Sequence, residues 1–178
     1  MPTDKNIIEC VPNFSEGRDL DIIDKIASAV RSTQNVKLLN VEPDKDYNRT
    51  VITFVGEPSG VKEAAFTAIS TASELIDMSR QKGEHPRIGA TDVCPIIPVA
   101  NATREECVKL ADELGSEVGE KLGIPVYLYE DAARSEERRN LENIRKGEYE
   151  GLEQKLRDWI PDYGPAEYND KVGNPVQQ

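Results

Sequence analysis

Apolar residues in this chain change period in a set order of strand, helix, strand, strand, helix and strand, and that order restricts the fold more than any other feature. Ile7, Ile8, Cys10 and Val11 form a short buried strand that runs into Pro12-Asn13-Phe14-Ser15-Glu16-Gly17-Arg18, a polar turn of the kind that binds ligands. Over residues 19–33, Leu20, Ile22, Ile23, Ile26, Ala27 and Val30 recur at helical spacing, with Asp19 or Asp21 at the amino end. Residues 36–41 and 49–55 read as two strands joined by the polar loop 42–48, hence an antiparallel hairpin. Gly56-Glu57-Pro58-Ser59-Gly60 breaks the chain, and residues 61–79 have the spacing of a long, buried second helix. Residues 92–99 form the next strand, with Pro95 and Pro98 confining it to an edge or interrupting its ladder.

This β-α-β-β-α-β order predicts an α/β (α+β) domain of ferredoxin-like type, a mixed, largely antiparallel sheet with helices on one face. The other face is left bare, and apolar residues there call for a second domain or another copy of the chain. Thr103 with Glu106 is a capping box that opens a third helix ending near Leu122, and residues 126–129 read as a brief strand. The run 131–147 is strongly charged and reads as solvated helical surface. Trp159, Tyr163 and Tyr168 lie in a Pro/Gly-rich tail, where they either pack back on the domain or line a binding surface.

With 178 residues, 38% of them hydrophobic, the chain reads as a single domain over residues 1–178. A net charge of −11 argues against nucleic acid or an anionic membrane as partner, while leaving room for a local basic pocket. Cys10, Cys94 and Cys107 follow no metal-ligand spacing, the N-terminus is too polar for a signal peptide, and no apolar run is long enough to span a bilayer. These features point to the cytoplasm. There is no phosphate-binding GxxxxGK[ST], no GxGxxG after a strand and no GxSxG, so neither a nucleotide site, a metal site nor a serine triad is expected. Cys94, between Val93 and Pro95 in an apolar strand, reads as a packed thiol rather than a nucleophile.

One residue stands out for chemistry near neutral pH. His85 is the only histidine, and Pro86 holds it out of the helical region. Gly83 and Gly89 allow unusual backbone or close approach, and Arg80, Lys82, Glu84 and Arg87 surround it with more charge than a core position tolerates. The setting suits an anionic molecule.

The stretch Gly83-Glu84-His85-Pro86-Arg87-Ile88-Gly89-Ala90-Thr91-Asp92-Val93-Cys94-Pro95 resembles the N-terminal subdomain of the glutamate formiminotransferase family. So do Glu9-Cys10-Val11-Pro12-Asn13-Phe14-Ser15-Glu16-Gly17, Asn48-Arg49-Thr50-Val51, Ile144-Arg145-Lys146-Gly147-Glu148-Tyr149-Glu150 and Pro161-Asp162-Tyr163-Gly164-Pro165, in order along the chain. The resemblance implies transfer of a formimino group from N-formimino-L-glutamate to N5 of tetrahydrofolate, in histidine degradation, with folate as cosubstrate and no metal. It implies His85 as the catalytic acid/base and Gly164, Pro165, Ala166, Glu167, Tyr168, Asn169, Asp170, Lys171, Val172 and Gly173 as the folate-binding stretch. It also implies a second subdomain, beyond this sequence, that faces the first across the substrates. A stand-alone module that binds folate or self-associates without turnover is the alternative. Because both substrates carry carboxylates, Arg49, Arg80, Lys82 and Arg87 are candidate anchors by charge-assisted hydrogen bonds.

Overall fold

The structure is a computed structural model and describes residues 4–168. Its sheet is organised around β4 (Arg49–Gly56), whose alternating buried and half-buried residues mark a strand with one covered face. On one side β4 pairs with β3 (Val36–Asp44) through the hairpin turn 45–48. On the other it meets two short strands in line, β1 (Ile7–Cys10) and β2 (Asn13–Phe14). Pro12 separates them because it has no N–H for the ladder, although its carbonyl still accepts from Ile52 N–H at 3.1 Å. Beyond them lie β5 (Thr91–Val93), paired with β2, and β6 (Ile96–Ala100), paired with β1. Every pairing is antiparallel among the described residues, which corrects the expectation of a mixed sheet. The cause is topological. The helical connections carry the chain from β1/β2 to β3 and from β4 to β5/β6, and each skips a strand, so strands of like direction are never neighbours.

Three helices cover the face bearing Ile8, Cys10, Phe14, Ile52 and Phe54. Helix α1 (Leu20–Arg31) is capped by the Asp19 carboxylate, which accepts from Asp21 and Ile22 N–H, and it buries Ile23, Ile26, Ala27 and Val30. Helix α2 (Pro58–Leu75) begins earlier than its apolar spacing suggests, because Pro58 suits the first turn, where its missing N–H has no role. Its alanines 64, 65, 68 and 72 are all at 0% exposure, so the helix backbone lies close to the sheet. Helix α3 (Arg104–Leu122) has the expected capping box at Thr103 and Glu106 and ends at Gly123 in the left-handed region, φ 67°. The opposite face carries Leu39, Ile97 and Val99, exposed by 49%, 41% and 56%, with Glu9 set between Val55 and Ile97.

The remaining chain departs further from its sequence reading. Residues 126–129 join no sheet among the described residues; Val126 makes a single bridge to Tyr163. The charged run folds into a 3₁₀ turn at Glu130–Ala132 and the short helices α4 (Glu136–Arg139) and α5 (Leu141–Arg145). It is not all solvated surface. Arg138 pairs with Asp162 at 3.0 Å and Arg145 pairs with Asp92, their side chains only 17% and 19% exposed. Helix α6 (Leu152–Asp158) builds a second small core in which Leu152, Leu156, Ile144, Tyr127 and Ile88 meet, with Trp159 against it. Of the open choices for the tail, Trp159 and Tyr163 take packing.

Candidate active site at His85

Helix α2 stops at Leu75 because Ile76 turns extended, and buried Ile76 and Met78 then tie residues 76–90 to the core as a non-helical loop. Asn48, with φ 51°, gathers the neighbouring loops. Its Oδ1 accepts from Gly17 N–H at 2.9 Å, its Nδ2 donates to the Lys82 carbonyl at 3.0 Å, and its own carbonyl accepts from Gln81 Nε2 at 3.0 Å. Gly83 lies so close to the hairpin turn that a Cβ would stand 2.3 Å from the Tyr47 carbonyl oxygen. The polar turn after β1, the turn before β4 and the His85 loop are thus one assembly.

Within it His85 is half-buried and meets the Tyr47 ring edge-on, with centroids 6.3 Å apart at 87°. Burial lowers its pKa below the usual imidazole value; Arg49 lowers it further, Asp92 opposes the shift, and Arg145 adds to it. The resting imidazole is therefore neutral near pH 7. Asp92, whose side chain is 2% exposed, accepts from Ile88 N–H at 2.8 Å and pairs with Arg145. Among the described residues, Arg49 Nε, Arg145 Nε and Thr91 Oγ1 are buried without a hydrogen-bond partner.

The four candidate anchors fall into three kinds. Arg49, at the start of β4, lies against Tyr47, its guanidinium 5.9 Å from the ring centroid, and acts on His85. Arg80 is 88% exposed at its side chain and pairs loosely with Asp77, and Lys82 is exposed. Arg87 is buried and engaged at every nitrogen, Nε to Gln81 Oε1 at 2.6 Å and the terminal nitrogens to Glu150 at 2.7 and 2.9 Å, Glu148 at 3.2 Å and the Gln81 carbonyl at 3.2 Å. It staples the His85 loop to residues 148–150. Of the folate stretch, Gly164 (φ 83°) packs under the Ile124 carbonyl, Pro165 is half-buried, Ala166 and Glu167 are exposed, and Tyr168, also exposed, approaches the Tyr149 side chain. Tyr149 N–H in turn donates to the Arg87 carbonyl at 3.0 Å, so this stretch returns to the His85 loop. Asn169, Asp170, Lys171, Val172 and Gly173 lie outside the described residues.

Tyr47, Asp92 and Arg145 were not singled out from the sequence. For Arg145 a signal exists, because Leu141, Ile144 and Arg145 share one helical face and Leu141 and Ile144 are apolar. A largely apolar cavity of about 350 Å³ lies between β6, α3 and residues 126–132, bordered by Cys94, Leu114 and Tyr129 but not by His85 or Arg49. Cys94 Sγ lies 3.5 Å from Cys10 Sγ, whose pKa burial pushes well up, an arrangement of packed thiols.

Among the described residues no group of three or more His, Cys, Asp or Glu is placed to hold a metal ion, and no helix is long and apolar enough to cross a membrane. Residues 7–176 match a family described as formiminotransferase domain, N-terminal subdomain. The chain is 51% identical over 172 residues to a formimidoyltransferase-cyclodeaminase of Dictyostelium discoideum, covering 96% of the chain and 32% of the relative. It is 45% identical over 169 residues to a glutamate formimidoyltransferase of Streptococcus pyogenes serotype M1, covering 94% and 56% respectively. With a glutamate formimidoyltransferase of Thermoplasma acidophilum it shares 49% identity over 165 residues, covering 90% and 54%. The chain thus spans about a third to just over half the length of these relatives. A match across nearly the whole chain, on a scaffold that places the lone histidine among buried charges, shows that this chain belongs to the formiminotransferase family as its N-terminal subdomain.

Proposed function

We propose that this chain carries the His85 half of a site that transfers a formimino group from N-formimino-L-glutamate to N5 of tetrahydrofolate, in histidine degradation. One observation carries the reading: the only histidine is half-buried, neutral at rest, and set beside Asp92, Arg49 and Arg145. In that form His85 acts first as base, accepting the proton released as the folate nitrogen attacks the formimino carbon. It then acts as acid, returning that proton to the departing glutamate nitrogen, since an amine leaves well only when protonated. Acid–base help of this kind is worth on the order of 10²–10⁴-fold, and holding two substrates together contributes comparably. Arg49 anchors a substrate carboxylate, with Arg80 and Lys82 as outer charges, while Arg87 positions the loop. Gly164 to Gly173 form the folate stretch; the approach of Tyr168 to Tyr149 supports it.

The strand order across the sheet, β3, β4, β1 with β2, then β6 with β5, supports the ferredoxin-like reading. The apolar residues Leu39, Ile97 and Val99 on the uncovered face support its closure by a second subdomain or a second copy. The same face also favours the alternative of a module that binds folate or pairs without turnover. The reaction belongs in the cytoplasm. The test mixes the chain with N-formimino-L-glutamate and tetrahydrofolate, alone and with a second subdomain supplied as a separate polypeptide, and follows formimino-tetrahydrofolate. Turnover that falls by at least 10²-fold in His85→Ala supports the reading; turnover unchanged in that variant removes His85 from the chemistry. Folate binding without turnover in either mixture selects the module.

A further inference from the structure

Two orphaned guanidinium nitrogens lie in the charged neighbourhood of His85. Arg49 Nε and Arg145 Nε are buried and lack a partner among the described residues, whereas the third such group, Thr91 Oγ1, lies on the core face with Phe14, away from Arg49. The two arginines come from separate elements, β4 and α5, so no local accident of one loop explains them. A buried N–H left without an acceptor costs about 1–3 kcal/mol, more when the group is charged. The fold tolerates this beside one titratable side chain and satisfies the five donors of Arg87 nearby. Asp92 binds Arg145 at a terminal nitrogen, leaving its Nε without an acceptor among the described residues.

We propose that Arg49 and Arg145 form a carboxylate subsite beside His85, and that it receives a carboxylate of the formimino donor. This rests on the transfer reading above for the identity of the donor, but not for the existence of the subsite. Guanidinium groups present flat, forked donors that match a carboxylate. Binding here has a consequence for the chemistry. The groups facing His85 are Tyr47 from the hairpin turn, Arg49 from β4, Asp92 from β5 and Arg145 from α5. Burial is the main cause of the lowered His85 pKa, and Arg49 and Arg145 add to it; an anion bound by them offsets their charge, so the proton affinity of His85 rises when donor is bound. By linkage, the anion binds more tightly as pH falls through the His85 pKa. Loading the donor thus prepares the residue that must later protonate its leaving nitrogen.

Because His85 is the only histidine, its ring resonances report this site alone. The experiment titrates the full chain by NMR with glutarate, a dicarboxylate that lacks the formimino group, and with glutaramide as neutral control. Saturable movement of the His85 signals by glutarate, with its titration midpoint raised, and neither effect from glutaramide, is the expected result. Arg49→Gln, which breaks no ion pair among the described residues, should weaken glutarate at least 10-fold and abolish the rise. Arg145→Lys, which keeps the charge near Asp92, should weaken it several-fold with unchanged thermal midpoint. Glutarate that leaves His85 unmoved, or that acts on Arg49→Gln as on the parent chain, overturns the subsite. The two readings fail separately. A chain that binds glutarate as described but never transfers a formimino group loses the function and keeps the subsite, and one that transfers without a glutarate effect does the reverse.

Discussion

Two arginine clusters lie within reach of the His85 loop, and they differ in how completely their donors are used. Arg87 has a partner for each of its nitrogens, and each partner belongs to the protein. Arg145 gives a terminal nitrogen to Asp92 and, among the described residues, leaves Nε without an acceptor, as does Arg49. A saturated guanidinium is a structural clamp, because it has nothing left to offer a ligand. An unsaturated one in the same neighbourhood is a receptor whose last partner comes from outside. The two are alike in residue type but not in burial or donor satisfaction: the Arg87 side chain is 7% exposed, that of Arg145 19%, and Arg49 is half-buried.

The sharpest way to break this distinction is at the chemistry they serve. Replacing Arg49 by Gln should lower the specificity constant for the formimino donor by about 10²-fold, mostly through KM, a loss in the range of a charge-assisted pair. If Arg87→Met does the same to KM while the fold stays intact, the contrast between clamp and receptor collapses. That second change should instead act on stability. Removing Arg87 leaves Glu148 and Glu150 facing one another and Gln81 without its partner, at a cost of roughly 2 kcal/mol, measured by urea unfolding. Glu150, held below the usual carboxylate range chiefly by its bond to Arg87, gives this a pH signature. Its contribution is present above its unfolded pKa and is lost as pH falls through the lower folded value. Acid unfolding should therefore begin at higher pH once its partner is Met.

A smaller effect concerns His85 itself. Its pKa, read from the single set of imidazole signals, should lie below the ordinary value of about 6.5 in the ligand-free chain and move up in Arg49→Gln. A midpoint above 6.5 would mean that Asp92 outweighs burial and both arginines. The smallest effect is reserved for the outer cations. Arg80→Ala and Lys82→Ala should change donor affinity less than about twofold at 0.15 M salt, where exposed charges are screened.

The frame of the fold was legible because periodicity states it directly. The alternation in β4, the capping box at Thr103 and the stripe of Ile23, Ile26, Ala27 and Val30 each depend on neighbours in sequence. What depends on distant neighbours was not. Residues 126–129 look like a strand, but they have the local propensity without a sheet edge to pair with. Helix α2 ends at Leu75 because Ile76 and Met78 are needed in the core, which no local pattern in residues 61–79 reveals. The site divides in the same way. His85 announces itself by being alone, and Arg49 by standing at the head of a strand, but Arg87 and Arg145 are two charged residues in charged surroundings. Only the pairing of one with Glu148 and Glu150 and of the other with Asp92 separates them, across 61 and 53 residues of sequence.

The prolines of the outer strands bear on how such a subdomain meets its other half. Pro43 lies in β3, and Pro98 lies in β6, with Pro95 immediately before it. Pro43 and Pro98 each lack a main-chain N–H, so the outer edges of β3 and β6 are each a donor short of a full template for another strand, while the short β5 carries no proline. Under the transfer reading, a second unit then meets this one across the broad surface of Leu39, Ile97 and Val99 rather than by extending the sheet at those edges. Halves packed face to face in that fashion would part and re-form without unravelling a ladder.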